Sequence, residues 1–223
     1  MVGYQAPKRG RPPLKAPQVA KMQAIVMTAA QDLFAKEGYS AISMLRLAKQ
    51  VGCSPMTLYT YYACKIDILH GLWSVVFSEV FAKIEAETVR DAPPSERLRQ
   101  AARAYVHYWL LHPEHYRMVF MSEQVSQPEV TAFLADPKTL AGFAILLAPL
   151  SEALAPATPA DQLKLKADLM MCGLQGIAHT LVTVSGHSWS SADDLVDAMI
   201  DCCLASFRRV HPWVRPSQHG SGS

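Results

Sequence analysis

The sequence predicts an all-α protein of about nine helices, and two observations carry that class. Apolar residues recur at three- and four-residue spacing over long stretches, while neither strand-like alternation nor an internal repeat stands out. Proline and glycine fall between these stretches, where helices end. With 223 residues, half of them hydrophobic, the chain can build a sizeable core in one or two domains.

Residues 1–17 hold Pro7, Pro12, Pro13 and Pro17 with two glycines, and we read them as a flexible basic arm. Within the arm, Arg9-Gly10-Arg11-Pro12 resembles an AT-hook, in which Arg9 and Arg11 would lie along a narrow A·T minor groove. A basic tail that raises affinity without reading sequence fits the same residues. The first helix spans about Gln18 to Glu37, where Met22, Ile25, Val26, Ala29, Ala30, Leu33 and Phe34 form one stripe. Gly38 ends it. Residues 43–62 then read as two short helices joined by a tight turn. Gly52 supplies the positive φ that closes the first of them. Ser54 suits the N-cap of the second and Pro55 its first position. Met44, Leu47, Val51, Cys53, Leu58 and Tyr62 form a shared apolar seam. Thr57, Tyr59, Thr60 and Tyr61 stay outside it, a run of hydroxyls with no acid among them. Such hydroxyls donate to phosphate oxygens and base edges.

A fourth helix begins near Lys65 and runs through Leu69, Leu72, Trp73, Val76, Phe77, Val80 and Ile84, ending before Pro93-Pro94. Ser95 suits the N-cap of a helix reaching about Leu111. A short helix follows Pro113. Further helices are expected over about Pro137–Leu154, Ala160–Val184 and Ser191–Val210, with a mobile Pro-, Ser- and Gly-rich tail from 213. This divides the chain into an arm (1–17), a three-helix unit (18–67), a larger helical body (68–212) and a tail (213–223).

Ile25, Ala29, Ala30, Leu33, Phe34, Gly38, Tyr39, Leu47-Ala48, Val51-Gly52-Cys53-Ser54, Leu58-Tyr59-Thr60-Tyr61-Tyr62, Lys65 and Leu69 together resemble the DNA-binding domain of the tetracycline-repressor (TetR) family of bacterial regulators. Leu45 stands where that family often carries arginine or another polar residue. Cys53 and Tyr62 replace the usual valine and phenylalanine. His112 to Phe120 is similar to a stretch common in the family's ligand domains. The resemblance implies an all-helical homodimer whose DNA-binding heads (18–67) read a near-palindromic operator in double-stranded DNA and whose ligand-binding and dimerisation bodies (68–212) bind a small hydrophobic effector. The expected DNA contacts are Arg9, Arg11, Ser43, Ser54, Met56, Thr57, Tyr59, Thr60, Tyr61 and Lys65. Among these, Tyr59, Thr57 and Lys65 are phosphate anchors, and Thr60, Tyr61 and Met56 meet base edges or a thymine methyl. Leu165, Leu169, Cys172, Gly173, Gly176, Ile177 and Thr180, with Leu195, Val196, Met199, Ile200, Cys203 and Phe207, are the expected dimer faces. The expected activity is that of a repressor released by its effector.

Charge points the same way. Residues 1–65 hold nine Lys or Arg against two acids, so of the overall +2 the remainder carries −5. Only the amino-terminal part is built to meet a polyanion. In the body, Trp73, Phe77, Tyr105, Trp109, Tyr116, Phe120, Phe143 and Met170 are candidate walls of an apolar cavity, with His179 (or His107) orienting a polar group on the ligand. Five cysteines with no C-x-x-C pair fit buried or half-buried thiols in a reducing cytoplasm. No signal peptide is visible, and the longest apolar run, Phe143 to Leu150, is too short for a bilayer.

Other chemistries fare worse. Gly186-His187-Ser188-Trp189-Ser190 resembles a nucleophile elbow but lacks its second glycine and its strand, so a hydrolase using Ser188 is a weak rival. A helical adaptor without DNA binding is another, and the hydroxyl-rich helix argues against it. His112, Glu114 and His115 have the residue types of a metal cluster. Pro113 nevertheless puts His112 at a helix cap, so we read capping and packing and expect no metal. No glycine-rich phosphate loop appears, so no nucleotide cofactor is expected.

Overall fold

The computed structural model describes residues 16–121, 127–154 and 158–205. Among them are ten α-helices and no strand. The amino-terminal unit comprises α1 (Ala16–Glu37), a 3-10 turn (Tyr39–Ala41), α2 (Met44–Gln50) and α3 (Pro55–Leu58). The body follows as α4 (Lys65–Glu87), α5 (Pro94–Leu111), α6 (Pro113–Phe120), α7 (Gln127–Leu134), α8 (Pro137–Ala153), α9 (Ala160–Thr183) and α10 (Ala192–Leu204). The arm residues Arg9 and Arg11, the dimer candidate Phe207 and the tail lie outside the described residues.

Two helix starts and one additional helix differ from expectation. Helix α1 starts at Ala16, so Pro17 belongs to its first turn, where a missing N–H is harmless. Helix α5 is capped by Pro93 with Pro94 at its first position, not by Ser95. Two consecutive fixed φ angles preorganise that entry. Helix α7 was not anticipated, so the body has one more helix than expected. It has little intrinsic signal and is held by Phe133, whose buried ring lies 5.2 Å from Trp73 and 5.6 Å from Phe77.

In the head, Val26, Ala29, Ala30, Leu33 and Phe34 of α1 are buried together with Ile42, Met44, Leu47, Ala48, Leu58 and Tyr62. The seam expected from sequence is therefore the core of the unit. Helix α1 also meets α4 at Gly71, where a Cβ would fall 2.1 Å from the Met27 methyl carbon. That close approach seats the head on the body.

Helix α5 is the centre of the body and packs against α4, α8, α9 and α10. Its alanines (Ala101, Ala102, Ala104) are buried on several sides, which lets the surrounding axes come close. An antiparallel ladder joins α5 to α10. His107 Nε2 lies 2.8 Å from Asp193 Oδ1, Arg103 Nε donates to Asp197 Oδ1 at 3.0 Å, and Arg99 pairs with Asp201. Each side steps by four residues, so three pairs share one seam. At the end of α10, the buried Lys166 ammonium donates to the carbonyls of Cys203 (2.5 Å) and Ala205 (2.7 Å). A cation there satisfies carbonyls that have no helical partner.

No single helix among the described residues is long and apolar enough to cross a membrane.

Candidate nucleic-acid interface

Local chemistry fixes the α2–turn–α3 unit. Ser43 caps α2 by accepting from Arg46 N at 3.2 Å. Gly52 has φ +70°, and Cys53 N then donates to Ala48 O at 2.9 Å, turning the chain sharply. Nothing lies within 4 Å of a Cβ built on Gly52, so the glycine is required by its backbone angle and not by crowding. Ser54 caps α3 by accepting from Thr57 N at 3.0 Å, and its hydroxyl also pairs with that of Thr57 at 2.9 Å.

Helix α3 is a single turn. The regular helix ends at Leu58, and Tyr59 to Tyr61 continue as a tightened turn with Thr60 N bonded to Thr57 O and Tyr61 N to Leu58 O. The Thr60 hydroxyl donates back to the Thr57 carbonyl at 2.6 Å, which competes with a further helical bond. Met56 (76% exposed), Tyr59 (50%) and Thr60 project outward, and Leu45 of α2 (69%) joins them. Thr57 is half-buried beside its cap. Tyr61 is half-buried against the core, and its carbonyl accepts from Gln23 Nε2 at 3.2 Å. Tyr62 is buried and donates to Gln23 O at 3.0 Å, and burial pushes its phenol pKa up.

The cations are unequal. Arg46 is engaged by Glu37 through two bonds of 2.9 and 2.6 Å, and the same pairing holds the Glu37 carboxyl below its ordinary pKa. Lys65 Nζ sits 4.4 Å from the centroid of the Tyr39 ring, and partial burial lowers its pKa. Cys64 N at the start of α4 donates to Asp67 Oδ2 at 3.1 Å, so a carboxylate already faces that helix end. Lys49 is exposed beside the turn.

In the body, the candidate cavity residues form one ring cluster. Phe77 lies 5.9 Å from Trp109, 6.5 Å from Phe120 and 5.7 Å from Phe143, and Trp109 lies 5.7 Å from Tyr116. Trp73, Tyr105 and Met170 are fully buried with them. A polar chain crosses this apolar mass. Tyr105 donates to Gln175 Oε1 at 3.0 Å, Gln175 Nε2 donates to the Tyr116 hydroxyl at 2.8 Å, and that hydroxyl lies 3.2 Å from His179 Nδ1. Burial pushes the Tyr116 phenol up to about 12. Gln175 was missed from sequence because nothing marks one glutamine on a helix as internal. His179 is exposed at the edge of the cluster, and His107 belongs to the α5–α10 ladder.

The expected dimer faces separate. Leu165 (52% exposed), Leu169 (42%), Cys172 and Gly176 form an outward stripe on α9. Val196, Ile200 and Cys203 of α10 are buried inside the chain, and Gly173 packs on Met199. The cysteines also depart from expectation: Cys64, Cys172 and Cys202 are exposed. Ser188 lies in the loop between α9 and α10, where Trp189 Nε1 donates to Val184 O at 2.9 Å.

A capped helix pair at a glycine turn, with hydroxyl and apolar side chains exposed on the second helix, defines a helix-turn-helix protein of the DNA-binding class. The profile for bacterial regulatory proteins of the tetR family matches residues 26–72. A profile for the tetracyclin repressor-like C-terminal domain matches residues 98–203. The transcriptional activator FasR of Mycolicibacterium smegmatis is 23% identical over 107 residues, 48% of this chain and 49% of that one. The fatty acid metabolism regulator protein of Bacillus subtilis is 29% identical over 90 residues, 40% of this chain and 45% of that one. The matched stretch thus spans about half the length of these relatives. A tetR-family regulatory protein from Rhodococcus RHA1 shares the fold, with a TM-score of 0.54 at 19% identity over 82% of this chain and 95% of that one. The chain belongs to the TetR family of bacterial transcriptional regulators.

Proposed function

We propose that this chain is a one-component regulator that binds double-stranded DNA as a homodimer and is controlled by a small hydrophobic molecule. The observation that carries the reading is the outward set of Met56 on α3 and Tyr59 and Thr60 on the turn that continues it, a unit that Gly52 and Ser54 hold at a fixed angle. Tyr59, Thr57 and Lys65 serve as phosphate contacts. Met56, Thr60 and the edge of Tyr61 face the bases, and Leu45 adds an apolar contact suited to a thymine methyl. Ser43 and Ser54 orient the two helices, and Arg9 and Arg11 supplement them from the arm.

The α9 stripe of Leu165, Leu169, Cys172 and Gly176 supports pairing about a two-fold axis, since its small and apolar groups are self-complementary. The aromatic body supports an apolar effector, with the Tyr105–Gln175–Tyr116 chain offering polar groups to one end of it. One relative's name refers to fatty acid metabolism, so acyl compounds are the first class to test. The effector acts only through unequal affinity for the two head spacings. The expected direction is release from DNA. One relative is named an activator, so the opposite direction is the alternative outcome.

A mobility-shift assay on DNA flanking the chain's own gene, with excess unrelated duplex as competitor, tests the reading. Retention of the shift supports sequence-specific binding, and equal competition refutes it. Mass spectrometry of small molecules that co-purify with the chain tests the effector class.

A further inference from the structure

The corner between α5 and α6 carries more than a turn needs. His112 caps α6 by position only, and its side chain makes no capping hydrogen bond. One ligand atom from each of His112, Glu114 and His115 lies within 4.8 Å of the others. His112 Nδ1 is 3.6 Å from Glu114 Oε1, and the two imidazoles stack at 5.1 Å and 17°. Capping therefore does not account for the cluster; packing, the other half of the sequence reading, accounts for the two rings, with His112 4.7 Å from Tyr108 and His115 5.7 Å from Phe34, but not for the approach of Glu114 to them.

The groups behind it set its chemistry. The Tyr108 hydroxyl lies 2.7 Å from Glu79 Oε2 and 2.8 Å from His115 Nδ1. A carboxylate only accepts, so Tyr108 gives its single proton to Glu79 and must accept from Nδ1–H of His115. That fixes the tautomer and leaves the His115 lone pair on Nε2, as carboxylate-backed metal-binding imidazoles do. Glu79, Glu114 and His115 also line a pocket of about 300 Å³, closed on its other side by Gln31, Phe34 and Ala35 of α1.

We infer that His112, Glu114 and His115 form a site for a divalent transition-metal ion at the joint between head and body. Two imidazoles and one carboxylate match zinc, cobalt or nickel, with the remaining positions open to water or to Glu79 across the pocket. The phenyl ring of Phe34 stacks on His115 at 5.7 Å, so an ion held there borders the helix that carries the head.

The test is titration of the full chain with Co²⁺ alone, followed by visible absorption and calorimetry. Wild type is compared with Glu114→Gln and His112→Gln. Both side chains are about half exposed, so the variants should keep the fold, which circular dichroism checks. The expected result is one ion per chain, affinity at least tenfold weaker in either variant, and no thiolate-to-cobalt charge-transfer band. Any of three results overturns the site: no saturable binding by wild type, variants that bind as wild type does, or a thiolate band showing that the exposed cysteines hold the ion.

Discussion

Removing residues 1–15 separates the charge that precedes α1 from the charge of the head. From residue 16 to 65 the chain carries Lys21, Lys36, Arg46, Lys49 and Lys65 against Asp32 and Glu37, a net +3. Arg46 is bound to Glu37 and Lys65 lies over Tyr39, so the head's free positive surface is smaller still. Residues 1–15 hold Lys8, Arg9, Arg11 and Lys15 with no acid, which is the other +4. Each phosphate neutralised adds about 0.9 to the slope of log K against log salt. If all four cations meet phosphates, deletion lowers the slope by up to ~3.6 per chain, equivalent to about 150-fold over a fourfold change in salt. If only Arg9 and Arg11 do, the fall is about half that. Fluorescence anisotropy of a labelled duplex from 50 to 200 mM KCl reads the slope directly. An unchanged slope would refute the assignment of this charge to DNA and leave the head to bind alone.

Four further outcomes are expected. Tyr59→Phe should weaken binding to many duplexes alike by ~1 kcal/mol, as loss of one phosphate hydrogen bond does, and unchanged affinity removes Tyr59 from the contacts. Gly52→Ala should destabilise the head by about 1–2 kcal/mol in urea unfolding, since its φ is left-handed and its surroundings are open. An equal midpoint would mean that the turn is not held at that angle. Lys166→Met should cost about 1–3 kcal/mol because two carbonyls at the end of α10 lose their donor, and a neutral result would show that water replaces the ammonium. Leu169→Glu should turn a dimer into monomers in analytical ultracentrifugation. A persisting dimer would move the interface off α9.

The sequence exposed those parts of the structure that local chemistry determines. Gly52, Ser54 and Pro55 act within a few residues of themselves, so the turn and the cap of α3 could be read directly, whereas the Ser43 cap of α2 was not. The apolar stripe of α1 and the seam from Met44 to Tyr62 follow from helical periodicity alone. What depends on distant partners was hidden. Helix α7 rests on the burial of Phe133 against Trp73 and Phe77, which no cap or periodicity announces. The ladder of Arg99, Arg103 and His107 onto Asp201, Asp197 and Asp193 has a four-residue step on each side, yet its pairing exists only once α5 and α10 are antiparallel neighbours. Among the candidate contacts, Tyr61 turned partly inward because the chain tightens after Leu58, a detail set by the Thr60 hydroxyl. The α10 half of the expected dimer face faces inward because α5 and α9 already cover it.

Hydroxyl-radical footprinting of the full chain on the fragment it shifts tests the central claim most directly. Two protected patches about one helical turn apart, roughly 34–36 Å between centres, are expected of paired α3 helices in successive major grooves. Uniform cleavage along every fragment at low salt, or one patch without a symmetric counterpart, would contradict it.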